Sequence, residues 1–168
     1  VTFSAFFIDG FAIAGESMVG EAKGARNHRA IRATVHAAFF TGGCIAILMS
    51  LTFFMISDWG FSLLSTQPEI IETAQRYSLW VLATPLISFP AYILDGLFIG
   101  TTRTREMRQA MIASLGIYLV AWFLTTDLLT HGLWLSLMIY YGARAISLGY
   151  YYPRLYWFDD HVITEPSK

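Results

Sequence analysis

The chain has 168 residues, of which 55% are apolar and 14% charged, and its net charge is −1. An ordinary soluble domain carries about 25% charged residues, so the composition argues against a water-soluble domain, and a nucleic-acid partner is not expected. A single cysteine, Cys44, excludes a disulfide framework and a cysteine metal cluster.

The placement of the charges is more informative than their number. A bilayer core of roughly 30 Å calls for about twenty consecutive apolar residues in a helix. The first such run, Val1 to Gly20, contains only Asp9 and Glu16 as charged residues. They are seven positions apart, two helical turns, so they share a face with Ile13 between them and Gly20 beyond, opposite Phe7, Phe11 and Met18. An acid at a helix centre costs roughly 2.5–3.5 kcal/mol to insert, and two on one face imply a wet or paired environment. The run ends at Gly20-Glu-Ala-Lys-Gly24, whose small residues suit close helix packing.

The second run, Ala33 to Ser57, holds Cys44 as a small packing residue. After it, Ser65-Thr-Gln-Pro-Glu69 combines a hydroxyl cap, a first-turn proline and a Glu three residues after Thr66, a capping box. It predicts a helix that starts in an external amphipathic stretch and continues into the third run, Tyr77 to Leu94. Pro85 and Pro90 fall inside that run, where each lacks a backbone donor and is expected to kink the helix or free carbonyls. Such breaks suit a helix that lines a cavity or packs on neighbours. Asp95 follows, with a role in a site or, equally, a place at a helix end paired with Arg103 or solvated.

The fourth run is Gln109 to Thr126 and the fifth starts at Leu128, running past Arg144 towards Tyr152. Arg144 either snorkels to the interface, the preferred reading, or pairs with an acid such as Asp95. Trp59, Trp80, Trp134 and the aromatics from Tyr150 to Trp157 read as interfacial anchors. His36 and His131 lack clustered partners, so no metal site is expected. Tests for a nucleophile elbow, a phosphate loop and a zinc helix fail.

These runs predict an all-α fold, a polytopic transmembrane helical bundle of about five spans at roughly 1–20, 33–57, 75–100, 108–126 and 130–152. The spans form one unit over 1–157, with a tail at 158–168. A soluble bundle would instead show a polar stripe along each helix, and none is present. Basic residues mark alternate connectors: Lys23, Arg26, Arg29 and Arg32 in the first; Arg103, Arg105 and Arg108 in the third; Arg144, Arg154 and Lys168 at the end. Only Arg76 lies in the second, and the fourth has Asp127 alone. The positive-inside rule places ten of the eleven basic residues, and the C-terminus, in the cytoplasm. With an odd number of crossings, and with neither a start Met nor a signal-peptide pattern before Val1, the chain is expected to be a fragment of a longer protein.

Phe7-Ile-Asp-Gly-Phe-Ala-Ile-Ala-Gly-Glu-Ser-Met-Val-Gly20 followed by Glu-Ala-Lys-Gly-Ala-Arg26 resembles the eighth helix of multidrug and toxic compound extrusion (MATE) transporters. Leu64-Ser-Thr-Gln-Pro-Glu-Ile-Ile-Glu72 and Tyr92-Ile-Leu-Asp-Gly-Leu-Phe-Ile-Gly-Thr-Thr-Arg-Thr-Arg-Glu-Met107 resemble the approach to the tenth helix and its close. The resemblance implies helices eight to twelve of a twelve-helix fold, a partial C-terminal lobe in the inner membrane whose partner lobe lies outside this chain. It also implies a secondary antiporter that needs no cofactor and exports small, often cationic organic compounds in exchange for H+ or Na+. Asp95 matches a tenth-helix acid that helps bind the coupling cation in some branches. Asp9 and Glu16 are assigned, less directly, to coupling or substrate attraction. In the branch the chain resembles, a principal proton-binding acid belongs to the absent lobe, so these acids are expected to be secondary. The competing readings are a non-transporting membrane subunit or scaffold, and an intramembrane enzyme.

Overall fold

The computed structural model describes residues 2–64 and 68–156, with side chains described at 10, 12–56, 72–73 and 75–155. Residues 65–67 of the expected capping box, Trp157 and the tail lie outside these residues, as does the side chain of Trp59. Among the described residues five helices follow one another: α1 (Thr2–Gly24), α2 (His28–Leu64), α3 (Pro68–Gly100), α4 (Thr104–Leu124) and α5 (Leu129–Tyr151). A 3-10 turn, Thr126–Leu128, joins α4 to α5, and another, Tyr152–Tyr156, follows α5. No strand occurs among the described residues. The fold is an all-α membrane helical bundle.

Stretches of α2, α3 and α4 (His28–Ile56, Gln75–Gly100 and Thr104–Leu124) are long and apolar enough to cross a membrane. With 23 residues each, α1 and α5 are about 34 Å long, also a bilayer core's thickness. The helices turn their greasy sides outward: Phe40, Phe54, Met55, Phe123 and Ile146 are all exposed. In water such a surface would be an aggregation liability; lipid is as apolar as these side chains.

The third helix is central, packing on α1, α2 and α5, while α4 leans mainly on α5. Close approach to α1 depends on two glycines of α3. A Cβ on Gly96 would lie 2.5 Å from the Ala12 carbonyl oxygen, and one on Gly100 would lie 2.2 Å from that of Glu16. Gly20 meets Gly100 from the other side, but a Cβ on Gly24 would touch nothing within 4 Å. The packing pair is therefore Gly96 and Gly100, four apart and on one face of α3, rather than Gly20 and Gly24.

The buried apolar cluster, including Val19, Ile31, Val35, Leu97, Phe98, Leu148 and Leu155, gathers at the end of the bundle where the basic connectors lie. Both inter-helix turns there have the same form. Arg26 and Thr102 take left-handed backbone conformations (φ 51° and 59°). In each turn the amide three residues past the helix bonds to the carbonyl five residues back, Asn27 to Ala22 and Arg103 to Phe98, a Schellman closure. Lys23 Nζ donates to the Thr101 carbonyl and ties the two turns together.

Candidate functional site

Asp95 and Arg144 meet between α3 and α5. Arg144 donates from Nε to Oδ2 at 2.8 Å and from Nη2 to Oδ1 at 2.9 Å, a two-pronged contact that matches the planar guanidinium to the carboxylate. The Arg144 side chain is 6% exposed and that of Asp95 19%. Two charges at this depth are tolerable because each neutralises the other and occupies the other's hydrogen-bonding groups.

Tyrosines build the rest of the site. Tyr140, one turn before Arg144 and on the same helix face, accepts a 3.1 Å bond from Nη1 through its hydroxyl. Tyr92, three residues before Asp95, places its hydroxyl 3.2 Å from that of Tyr141. Tyr118 of α4 packs edge-on against Tyr140 at 6.2 Å. Asp95, Arg144, Tyr92, Tyr140 and Tyr141, with Ala91, line a cavity of about 220 Å³. This arrangement can hold a small cation or an exchangeable proton on the carboxylate, with the guanidinium as its internal competitor.

The fate of each predicted residue follows from helix rotation. Arg144 is buried and paired rather than snorkelling, because its place on α5 faces α3 instead of the bundle's end. The alternative partner for Asp95, Arg103, lies near Glu106 at 3.7 Å, and Arg154 reaches the same carboxylate at 3.5 Å. Glu16 is half-buried, its own carbonyl pressed on Gly100, and makes no side-chain hydrogen bond or ion pair among the described residues. The structure does not join it to Asp95: Gly96 and Gly100 face α1, whereas Asp95 faces α5. Asp9 lies in α1, and its side chain is outside those described.

Through Pro85 and Pro90 the third helix continues unbroken. Hydroxyls serve carbonyls beside the first proline: Ser50 of α2 donates to Leu82 at 2.7 Å, and Thr84 to Trp80 at 2.7 Å. Cys44 is exposed, not a packing residue; it is Gly42 and Gly43 that approach Phe89 and Ile93. His131 does have partners: Trp80 Nε1 donates to its Nδ1 at 3.0 Å and Tyr77 stacks 4.7 Å away. Among the described residues no group of three or more potential metal ligands occurs.

The tyrosine shell was missed in the sequence, although the spacings Tyr92-x-x-Asp95 and Tyr140-x-x-x-Arg144 were signals for it. The Glu106 cluster escaped for a different reason, since its partner Arg154 is 48 residues away.

The MatE family model matches residues 1–124. The chain is 34% identical over 148 residues to DNA damage-inducible protein F of Escherichia coli (strain K12), covering 88% of this chain and 32% of that protein. It is 28% identical over 143 residues to Protein DETOXIFICATION 7 of Arabidopsis thaliana, covering 79% of this chain and 27% of that protein. The chain thus spans about a third or less of the length of these relatives. No solved structure gives a significant match.

Proposed function

We propose, for a chain that belongs to the MatE family of transporters, that it supplies part of the C-terminal half of a secondary antiporter, with the Asp95–Arg144 pair as its ion-coupling site. The exported substrates are small, often cationic organic compounds, the exchanged ion is H+ or Na+, and the setting is the inner membrane with the C-terminus in the cytoplasm. A further lobe of the same protein completes the cavity. The observation that carries this reading is the bidentate pair, buried on the guanidinium side and opening on a tyrosine-lined cavity from the carboxylate side.

The pair has two low-energy arrangements. With Asp95 ionised, the guanidinium neutralises it and holds α3 to α5. When a proton or a cation takes the carboxylate, Arg144 loses its counter-charge, and the α3–α5 contact weakens. A ligand shifts such an equilibrium only through different affinities for the two states, and competition for one carboxylate provides that difference. The two tyrosine hydroxyl contacts give the displaced groups polar neighbours, so the second arrangement is not stranded in hydrocarbon.

The test uses the full-length protein in inside-out vesicles, with dye transport driven by an imposed pH gradient or an imposed sodium gradient. Asp95→Asn removes the titratable, cation-binding group while keeping the shape. We expect gradient-driven transport to fall by about tenfold or more in one of the two arms, with the protein still inserted and correctly sized. Transport within twofold of the parent in both arms would remove Asp95 from coupling and favour the scaffold reading.

A further inference from the structure

A second charged cleft lies at the start of α2, far in sequence from the Asp95 pair. His28, Arg29, Arg32 and His36, with Tyr152 from beyond α5, line a cavity of about 490 Å³, within the roughly 300–1,000 Å³ typical of ligand clefts. At about 100° per residue, positions 28, 29, 32 and 36 fall within an arc of about 100° on α2. No acid lines the cleft, and α2 carries none before Asp58.

Three other basic residues at this end of the bundle are engaged, whereas Arg105 and Arg108 of the other connector are exposed. Lys23 donates to Thr101, while Arg103 and Arg154 share Glu106. Arg29, Arg32 and His36, by contrast, make no side-chain hydrogen bond or ion pair among the described residues. The helix end itself is already satisfied, because Asn27 Oδ1 accepts the amides of Arg29 and Ala30 at 3.1 Å each. An anion here would be held by side chains rather than by the helix terminus.

The surface next to the cleft decides what kind of anion fits. Continuing the same rotation, Phe40, Ile47 and Leu51 lie along the side of α2 that begins with Arg29 and His36, and all three are exposed. A basic cleft at the end of an apolar span thus leads into an apolar track about 15–20 Å long. A free phosphate would use only the cleft. An amphiphile uses both.

We propose that this cleft binds the headgroup of an anionic phospholipid from the leaflet the basic connectors face. Its phosphate is held by Arg29 and Arg32 between His28 and His36, and an acyl chain lies along Phe40, Ile47 and Leu51. Basic pockets on the cytoplasmic side of membrane helices suit such headgroups by their charge and depth. The bound lipid bridges the start of α2 and the turn after α5, which bring Arg32 and Tyr152 to one cleft.

The experiment compares phosphatidylglycerol, phosphatidylcholine and inorganic phosphate as ligands of the purified full-length protein, by thermal melting and by native mass spectrometry. Arg29→Gln/Arg32→Gln removes two exposed charges of the cleft, whereas Arg105→Gln/Arg108→Gln removes two exposed charges from the other basic connector, outside the cleft. We expect the preference for phosphatidylglycerol over phosphatidylcholine to fall about tenfold in the first variant and less than threefold in the second. Equal losses in the two variants would reduce the effect to general surface charge and overturn the site. Equal protection by millimolar inorganic phosphate would make it a soluble-anion site and overturn the lipid assignment. A first variant that no longer melts cooperatively in phosphatidylcholine would show that the arginines hold the fold, which also overturns the proposal.

Discussion

At the residue scale the Asp95–Arg144 pair dominates. Removing one partner of a fully buried pair costs about 3–5 kcal/mol, much of it for the charge left behind. Arg144→Gln should cost less, about 1–3 kcal/mol, because the Asp95 carboxylate keeps access to its cavity. Asp95→Asn/Arg144→Gln, which leaves no charge behind, should recover most of that loss in a thermal melt of the full-length protein. A double variant no more stable than the single one would mean that the pair is not the dominant interaction there. Arg144→Lys should not substitute, since an ammonium cannot make both parallel bonds at once. Asp95 was legible in the sequence as a lone acid in a membrane segment. Its pairing with Arg144 was only the second of two readings of that arginine, because Arg144 comes 49 residues later and no local pattern sets the rotation of α5 against α3.

At the element scale, α3 is the helix around which the others pack, and its special residues divide the work. Pro85 and Pro90 stood out in the sequence, yet neither breaks the helix; beside Pro85, hydroxyls from α2 and from α3 itself donate to the carbonyls of Leu82 and Trp80. Gly96 and Gly100 were less conspicuous, lying inside an apolar stretch, but they set the distance to α1. Gly100→Ala should therefore destabilise by about 1–3 kcal/mol, the usual cost of overpacking, since its methyl would meet backbone rather than a movable side chain. Gly116→Ala on α4 meets nothing within 4 Å and should be neutral or stabilising by about 0.5–1 kcal/mol. Parallel melting curves of the two variants check the contrast, and equal effects would sink the close-packing account of α1 on α3. Small residues four apart are visible in any sequence; which pair faces a neighbour depends on where that neighbour lies.

For the whole molecule, the alternation of basic connectors predicts one orientation. In a Cys44→Ser background of the full-length protein, Asp127→Cys should react with a membrane-impermeant thiol reagent in intact spheroplasts. Arg105→Cys should react only after permeabilisation. The reverse pattern would invert the topology and with it the leaflet assigned to the lipid cleft. What the sequence determined by itself was the solvent and the class of fold. Long uncharged runs can be satisfied only as helices in lipid, where each backbone bond is made within the segment, and the motif-bearing stretches Phe7–Arg26 and Tyr92–Met107 pointed to the family. Tertiary structure alone decided which intramembrane charges act together. Asp9 and Glu16 read as two acids on one face and Asp95 as a site or helix-end residue, but adjacent positions on a helix point about 100° apart. On α3 that single step separates Asp95, turned to Arg144, from Gly96, turned to α1. Composition and spacing fix what each helix can bury, but only the packing of one helix on another fixes the direction in which a charge points.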